Sequence, residues 1–145
     1  MKRSQARELA MQMLFSMEAR NDFSPECKDA FLAYYPPENQ KEYVNGVYNA
    51  FADHMEEVDG IIESNSARWH KDRLAKVDLA VLRVAIAEIC YLPSPTPEGV
   101  AINEAVNLAK TFGSDESGRF VNGILGKFSR SRKKEEKTEE GGADA

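Results

Sequence analysis

The 145-residue sequence predicts an all-α protein, a single domain of about six to seven helices. Three observations carry that reading. Apolar residues recur at helical spacing in one segment after another. Residues suited to starting and stopping helices separate those segments. The run from Val77 to Ile89 is apolar nearly all round, which on a helix means burial on most sides. The folded domain is expected over residues 1–129, with residues 130–145 a disordered charged tail.

Residues 4–19 read as an amphipathic helix. Ala6, Leu9, Ala10, Met13, Leu14 and Met17 form one core-facing stripe with Arg7 at its edge. Met11 and Phe15 fall on the far side with Ser4 and Glu8, where they face either another helix of the domain or a partner protein. Lys2, Arg3 and Arg7 gather at the N-terminal end, where the helix dipole disfavours cations. Their use is then a polyanion contact or nothing beyond solvation.

Ser24-Pro25-Glu26 supplies a capping hydroxyl, a first-position proline and a first-turn acid. Cys27, Ala30, Phe31 and Tyr34 give that helix its apolar face, and Pro36-Pro37 end it. One longer helix is expected over 40–64. Val44, Val47, Tyr48, Phe51, Met55, Val58 and Ile62 point inward, and Glu42, Asp53, Glu56, Glu57 and Glu63 face solvent. Residues 65–72 form a polar connector holding Trp69 and His70.

The apolar helix over 73–91 carries three exceptions, Asp78, Arg83 and Glu88. Each must lie on an exposed strip or be paired, because an isolated buried charge is costly. Pro93, Pro95 and Pro97 break the chain, and Thr96-Pro97-Glu98 starts the next helix. Its core face is Ile102, Ala105, Val106 and Ala109, with Asn103, Glu104, Asn107 and Lys110 outward. Phe112-Gly113 closes it, the glycine suiting a left-handed cap. Ser114 caps the last helix, Val121, Ile124, Leu125 and Phe128 form its stripe, and Phe120 lies on the rim. Residues 129–142 hold no apolar side chain, the composition of a disordered segment.

Composition narrows the function. With 42% hydrophobic and 30% charged residues the chain is of ordinary globular type. No apolar run approaches the roughly 18–20 residues that cross a bilayer, and no signal-peptide pattern opens the chain, so a cytoplasmic protein without membrane contact is expected. Cys27 and Cys90 have no CxxC partner and read as buried free thiols. The net charge of −5 is unevenly spread. Residues 1–20 balance at +2, residues 21–72 carry four basic and eleven acidic side chains, and the rest is neutral. A polyanion would avoid the acidic middle and use the N-terminus with part of the C-terminal half.

No GxGxxG, P-loop, GxSxG or HExxH pattern occurs, and His54 and His70 lack partners at ligand spacing. Neither an enzyme, a cofactor nor a metal is expected. Binding has better material. Lys110, Arg119 and Lys127 flank residues 112–120 and can meet phosphates. Phe112 or Phe120 can stack on an unpaired base, and Ser117 and Asn122 can bond base edges or sugar hydroxyls. The bland account makes both phenylalanines core, Lys110 a solvated helix end and Asn122 part of a turn. From chemistry alone it carries more weight.

The stretches Ala6-Arg7-Glu8-Leu9-Ala10-Met11-Gln12-Met13-Leu14-Phe15, Val77-Asp78-Leu79-Ala80-Val81-Leu82-Arg83-Val84 and Val100-Ala101-Ile102-Asn103-Glu104-Ala105-Val106 resemble the NusB family of bacterial antitermination factors. So do Lys110-Thr111-Phe112-Gly113 and Phe120-Val121-Asn122-Gly123-Ile124-Leu125, the most specific blocks. The resemblance implies two packed helical bundles. It also implies binding to the boxA element of ribosomal RNA leaders together with NusE, a small-subunit ribosomal protein. The complex would join RNA polymerase and other Nus factors so that polymerase reads past terminators. Lys2, Arg3, Arg7, Lys110, Phe112, Ser117, Arg119, Phe120 and Asn122 would then touch RNA, and Phe15 and Asp78 would face NusE. The alternative is a helical protein-protein interaction or homodimerisation module without direct RNA binding.

Overall fold

The computed structural model describes residues 1–66 and 74–143, with side chains described to residue 137. Trp69, His70 and Arg73 lie outside the described residues. Among the described residues there are seven α-helices and no strand: α1 (Arg3–Arg20), α2 (Pro25–Tyr34), α3 (Lys41–Asp53), α4 (Met55–Asn65), α5 (Lys76–Cys90), α6 (Glu98–Phe112) and α7 (Asp115–Ala143). A single 3-10 turn, Glu38–Gln40, leads into α3.

Helix α5 belongs to both bundles. It packs against α1 and α3, and also against α4, α6 and α7. Every residue from Asp78 to Ile89 is buried, as an all-round apolar helix requires. The expected stripes of α1 and α7 are likewise buried: Ala6, Leu9, Ala10, Met13, Leu14 and Met17 in the first, Val121, Ile124, Leu125 and Phe128 in the second.

Asp78, Arg83 and Glu88 of α5 are buried, and Arg83 and Glu88 are paired. Arg83 donates from Nε and Nη2 to the Asp59 carboxylate (2.9 Å each) and from Nη1 to Glu18 Oε2 (2.9 Å). Glu88, with 0% exposure, accepts from Arg7 Nε (2.8 Å) and Nη2 (3.0 Å), from the Tyr43 hydroxyl (2.8 Å) and from Thr96 Oγ1 (3.3 Å). Burial opposes the charged form of Arg7, but its hydrogen bonds and attraction to Glu88 prevail and raise its pKa. For Glu18 burial acts upward, and the Arg83 hydrogen bond and charge, helped by Lys76, bring the carboxyl below its ordinary value. Burial, then the Glu88 charge, pushes the Tyr43 phenol well up.

Five expectations change. The long helix over 40–64 is two, because His54 leaves helical geometry (φ −131°, ψ 31°) while its N–H bonds the Phe51 carbonyl. Its ring stacks on Tyr91 with centroids 3.9 Å apart. Helix α2 buries no residue fully, and Ala30 and Tyr34 of its apolar face are exposed. In α6 the innermost residues are Ala101, Ala105 and Ala109, and Ile102 and Val106 are half-buried. Small side chains at every fourth position let neighbouring helices approach closely. Both thiols, of Cys27 and Cys90, are free and only half-buried. Helix α7 continues to Ala143, through the segment whose composition argues for disorder. Glu98 at the start of α6 ties α7 to α6 as far as Arg132, accepting from Ser129 Oγ (2.9 Å) and Arg132 Nη1 (2.6 Å).

Among the described residues no helix is long and apolar enough to cross a membrane.

Candidate nucleic-acid interface

The junction between α6 and α7 gathers most of the residues singled out from sequence. Ser114 accepts from the Ser117 N–H (3.1 Å), so α7 begins with its first turn capped. Gly113 is needed for space, not for a left-handed cap: its φ is −112°. A Cβ there would lie 2.8 Å from the Ala109 carbonyl oxygen and 2.6 Å from Ser117 Oγ. A Cβ on buried Gly118 would lie 2.6 Å from Lys110 Cγ. The glycine thus lets the Lys110 stem cross the start of α7 while its ammonium stays exposed.

Beside this junction lies a cavity of about 330 Å³, lined by Leu74, Ala75, Asp78, Ser114, Glu116, Ser117 and Phe120. Asp78 is 6% exposed, and its Oδ1 has no hydrogen-bond partner. Burial is the main reason its carboxyl sits above the ordinary range. A hydrogen bond from Ser117 works against that shift and the Glu116 charge works with it. The cavity therefore presents an aromatic wall, a hydroxyl and an acceptor that water or a ligand must satisfy. Lys110 and Phe112 at the end of α6 and Arg119 and Asn122 early in α7 are exposed, Phe112 at 38%, but none of them lines the cavity.

The remaining expected contacts are dispersed. Lys2 and Arg3 are exposed at the start of α1, and Arg3 leans on α3, donating to Gln40 Oε1 (2.9 Å) with its guanidinium 4.3 Å from the Tyr43 ring centroid. Arg7 is not part of that accessible charge. At 3% exposure it is spent on Glu88, with Glu104 a further 3.7 Å neighbour, so a phosphate would have to break a buried pair to reach it. Phe15 is 39% exposed, whereas Met11 beside it in the sequence reading is buried. Asp78 is buried instead of open for a protein contact, and it shares its cavity with Ser117 and Phe120. Leu74, Ala75 and Glu116 also line the cavity and are not among the site residues expected from sequence. Only Glu116, beside the cap, carried a local signal.

A larger concavity of about 740 Å³ lies between α1 and α2, lined in part by Arg20, Asp22, Glu26, Phe31, Tyr34 and Tyr35. Its two acids make it a poor seat for phosphate. Among the described residues no group of three or more His, Cys, Asp and Glu is placed to hold a metal.

These features define an all-α, two-bundle protein with an aromatic, hydroxyl-bearing and basic surface at one helix junction. The NusB family model matches residues 4–130, and the chain belongs to the NusB family. It is 47% identical to the transcription antitermination protein NusB of Alkaliphilus oremlandii, over 88% of this chain and 93% of the relative. The corresponding protein of Acetivibrio thermocellus is 44% identical, over 88% of each. Among solved structures it is similar to T. maritima NusB, with a TM-score of 0.79 and 29% identity, over 90% of this chain and 92% of the other. It is also similar to a chain of the antitermination factors NusB and NusE in complex with dsRNA, with a TM-score of 0.77 and 27% identity, over 90% and 99%.

Proposed function

We propose that this chain is a non-catalytic RNA-binding adaptor in transcription antitermination. It binds the boxA element of ribosomal RNA leader transcripts together with NusE, and the assembly joins RNA polymerase and other Nus factors so that terminators are read through in the cytoplasm. One observation carries the reading: a NusB-family chain gathers Phe120, Ser117 and Asp78, whose Oδ1 has no hydrogen-bond partner, around one cavity, with Lys110 and Arg119 exposed on the two helices that meet there. Phe120 offers a base its ring, Ser117 and Asn122 offer hydrogen bonds, and Lys110, Arg119, Lys2 and Arg3 offer charge to phosphates. Phe15, apart from the cavity, is kept for NusE. The net charge of −5 limits affinity for RNA alone, so the partner supplies part of the binding.

The test is a titration of labelled boxA RNA with the protein, with and without NusE, at several salt concentrations. Tight, sequence-dependent binding with NusE is expected, and absence of specific binding in both arms refutes the adaptor. A second reading, self-association, has one observation in its favour: Tyr34 and Tyr35, at the C-terminal end of α2, are 76% and 51% exposed. Sedimentation at several concentrations distinguishes a dimer from a monomer.

A further inference from the structure

Helix α7 extends well past the cavity, and its exposed basic residues share one face. Arg119, Lys127, Arg130, Lys134 and Lys137 fall at i, i+8, i+11, i+15 and i+18, the spacing that keeps residues in line on a helix. All five are exposed, and the core-facing Val121, Leu125 and Phe128 lie on the opposite side. Gly123 occupies the i+4 position of the same line and has open space above it. At 1.5 Å per residue the line runs about 27 Å outward from the base-stacking site.

Like charges four residues apart within this stretch do not stabilise the helix. Exposed helices gain a few tenths of a kcal/mol from opposite charges at i, i+4, and lose as much from like charges. Here Arg130 stands four residues before Lys134, and Lys133 four before Lys137. Glu135 and Glu136 lie off the line. Arg132, also off the line, is the residue that anchors the extension through Glu98. Among the described side chains this leaves a basic face on α7, although residues 130–145 have a net charge of zero.

We propose that this face of α7 is a phosphate track for the RNA that flanks the recognised element, continuous with Arg119 and Phe120. It rests on the adaptor reading and assigns to that site a second, sequence-independent contact. Charge complementarity favours the RNA backbone as occupant, and continuity with the cavity gives it direction.

The experiment compares, in the presence of NusE, a minimal boxA RNA with the same RNA extended on both sides. Wild type is expected to bind the extended RNA more tightly. The double variant Arg130→Gln and Lys137→Gln should lose severalfold on the extended RNA. Its slope of log affinity against log salt should flatten by about 1.4, since each single-strand phosphate contact accounts for roughly 0.7. The minimal RNA should be bound as before. Phe120→Ala should weaken both RNAs, and the charge-keeping variant Arg130→Lys and Lys137→Arg should retain the extended-RNA affinity. An unchanged slope, or equal loss on both RNAs, overturns the track. Failure of wild type to bind either RNA overturns the adaptor reading beneath it.

Discussion

Replacing Arg7 with methionine tests whether this arginine holds the fold together or meets RNA. The substitution keeps an unbranched stem in a buried site and removes both hydrogen bonds to Glu88. Glu88 is then left at 0% exposure with only the Tyr43 and Thr96 hydroxyls as side-chain partners. Removing one partner of a buried ion pair costs about 3–5 kcal/mol, which for a domain near this size lowers Tm by roughly 10–15 °C. Urea unfolding followed by circular dichroism should show the midpoint falling with the m-value unchanged. The double variant Arg7→Met and Glu88→Leu should recover most of the loss, because no charge is stranded. RNA affinity of that double variant should equal wild type once it is folded. A single variant losing less than about 1 kcal/mol, or a folded double variant with weakened RNA binding, would return Arg7 to the RNA surface.

Phe120→Ala should weaken boxA binding by about 1–3 kcal/mol, the worth of one base–aromatic stack, with helicity intact. Unfolding by urea distinguishes this from a core role, in which stability falls instead. Gly113→Ala should cost about 1–3 kcal/mol, because its new methyl meets the Ala109 carbonyl oxygen. Gly118→Ala should cost less, since it meets the Lys110 side chain, which can swing aside; equal losses in thermal melts would contradict this. Asp78 holds its proton to higher pH in the folded than in the unfolded chain, so it detracts from stability as pH rises above the ordinary 3.8. Asp78→Asn should therefore gain on wild type with increasing pH and then level off, whereas a constant difference across a pH series of urea melts would exclude the shift.

What could be read from the sequence was what is local. The stripes of α1 and α7, the caps at Ser24 and Ser114 and the burial of α5 depend on neighbours within a few turns, and each is in place. The burial of Arg7 depends on Glu88, 81 positions away, and no periodicity reports that distance. The break at His54 has no proline or capping residue to announce it; its ring instead stacks on Tyr91 from another part of the chain. The site divides in the same way. Phe120 lies half-buried on the rim of its stripe, as its helical position requires. Its cavity partner Asp78 comes from a different helix and was placed there by folding alone.

The two charged clamps on α5 also encode direction. Arg7, early in α1, pairs with Glu88, late in α5. Glu18, late in α1, pairs with Arg83 and with Lys76 at the beginning of α5. If one helix were reversed, Arg7 would confront cations and Glu18 would confront Glu88. Aliphatic surface is indifferent to which way a neighbouring chain runs. The ion pairs are not, so they act as a polarity key that admits only the antiparallel docking of α1 on α5.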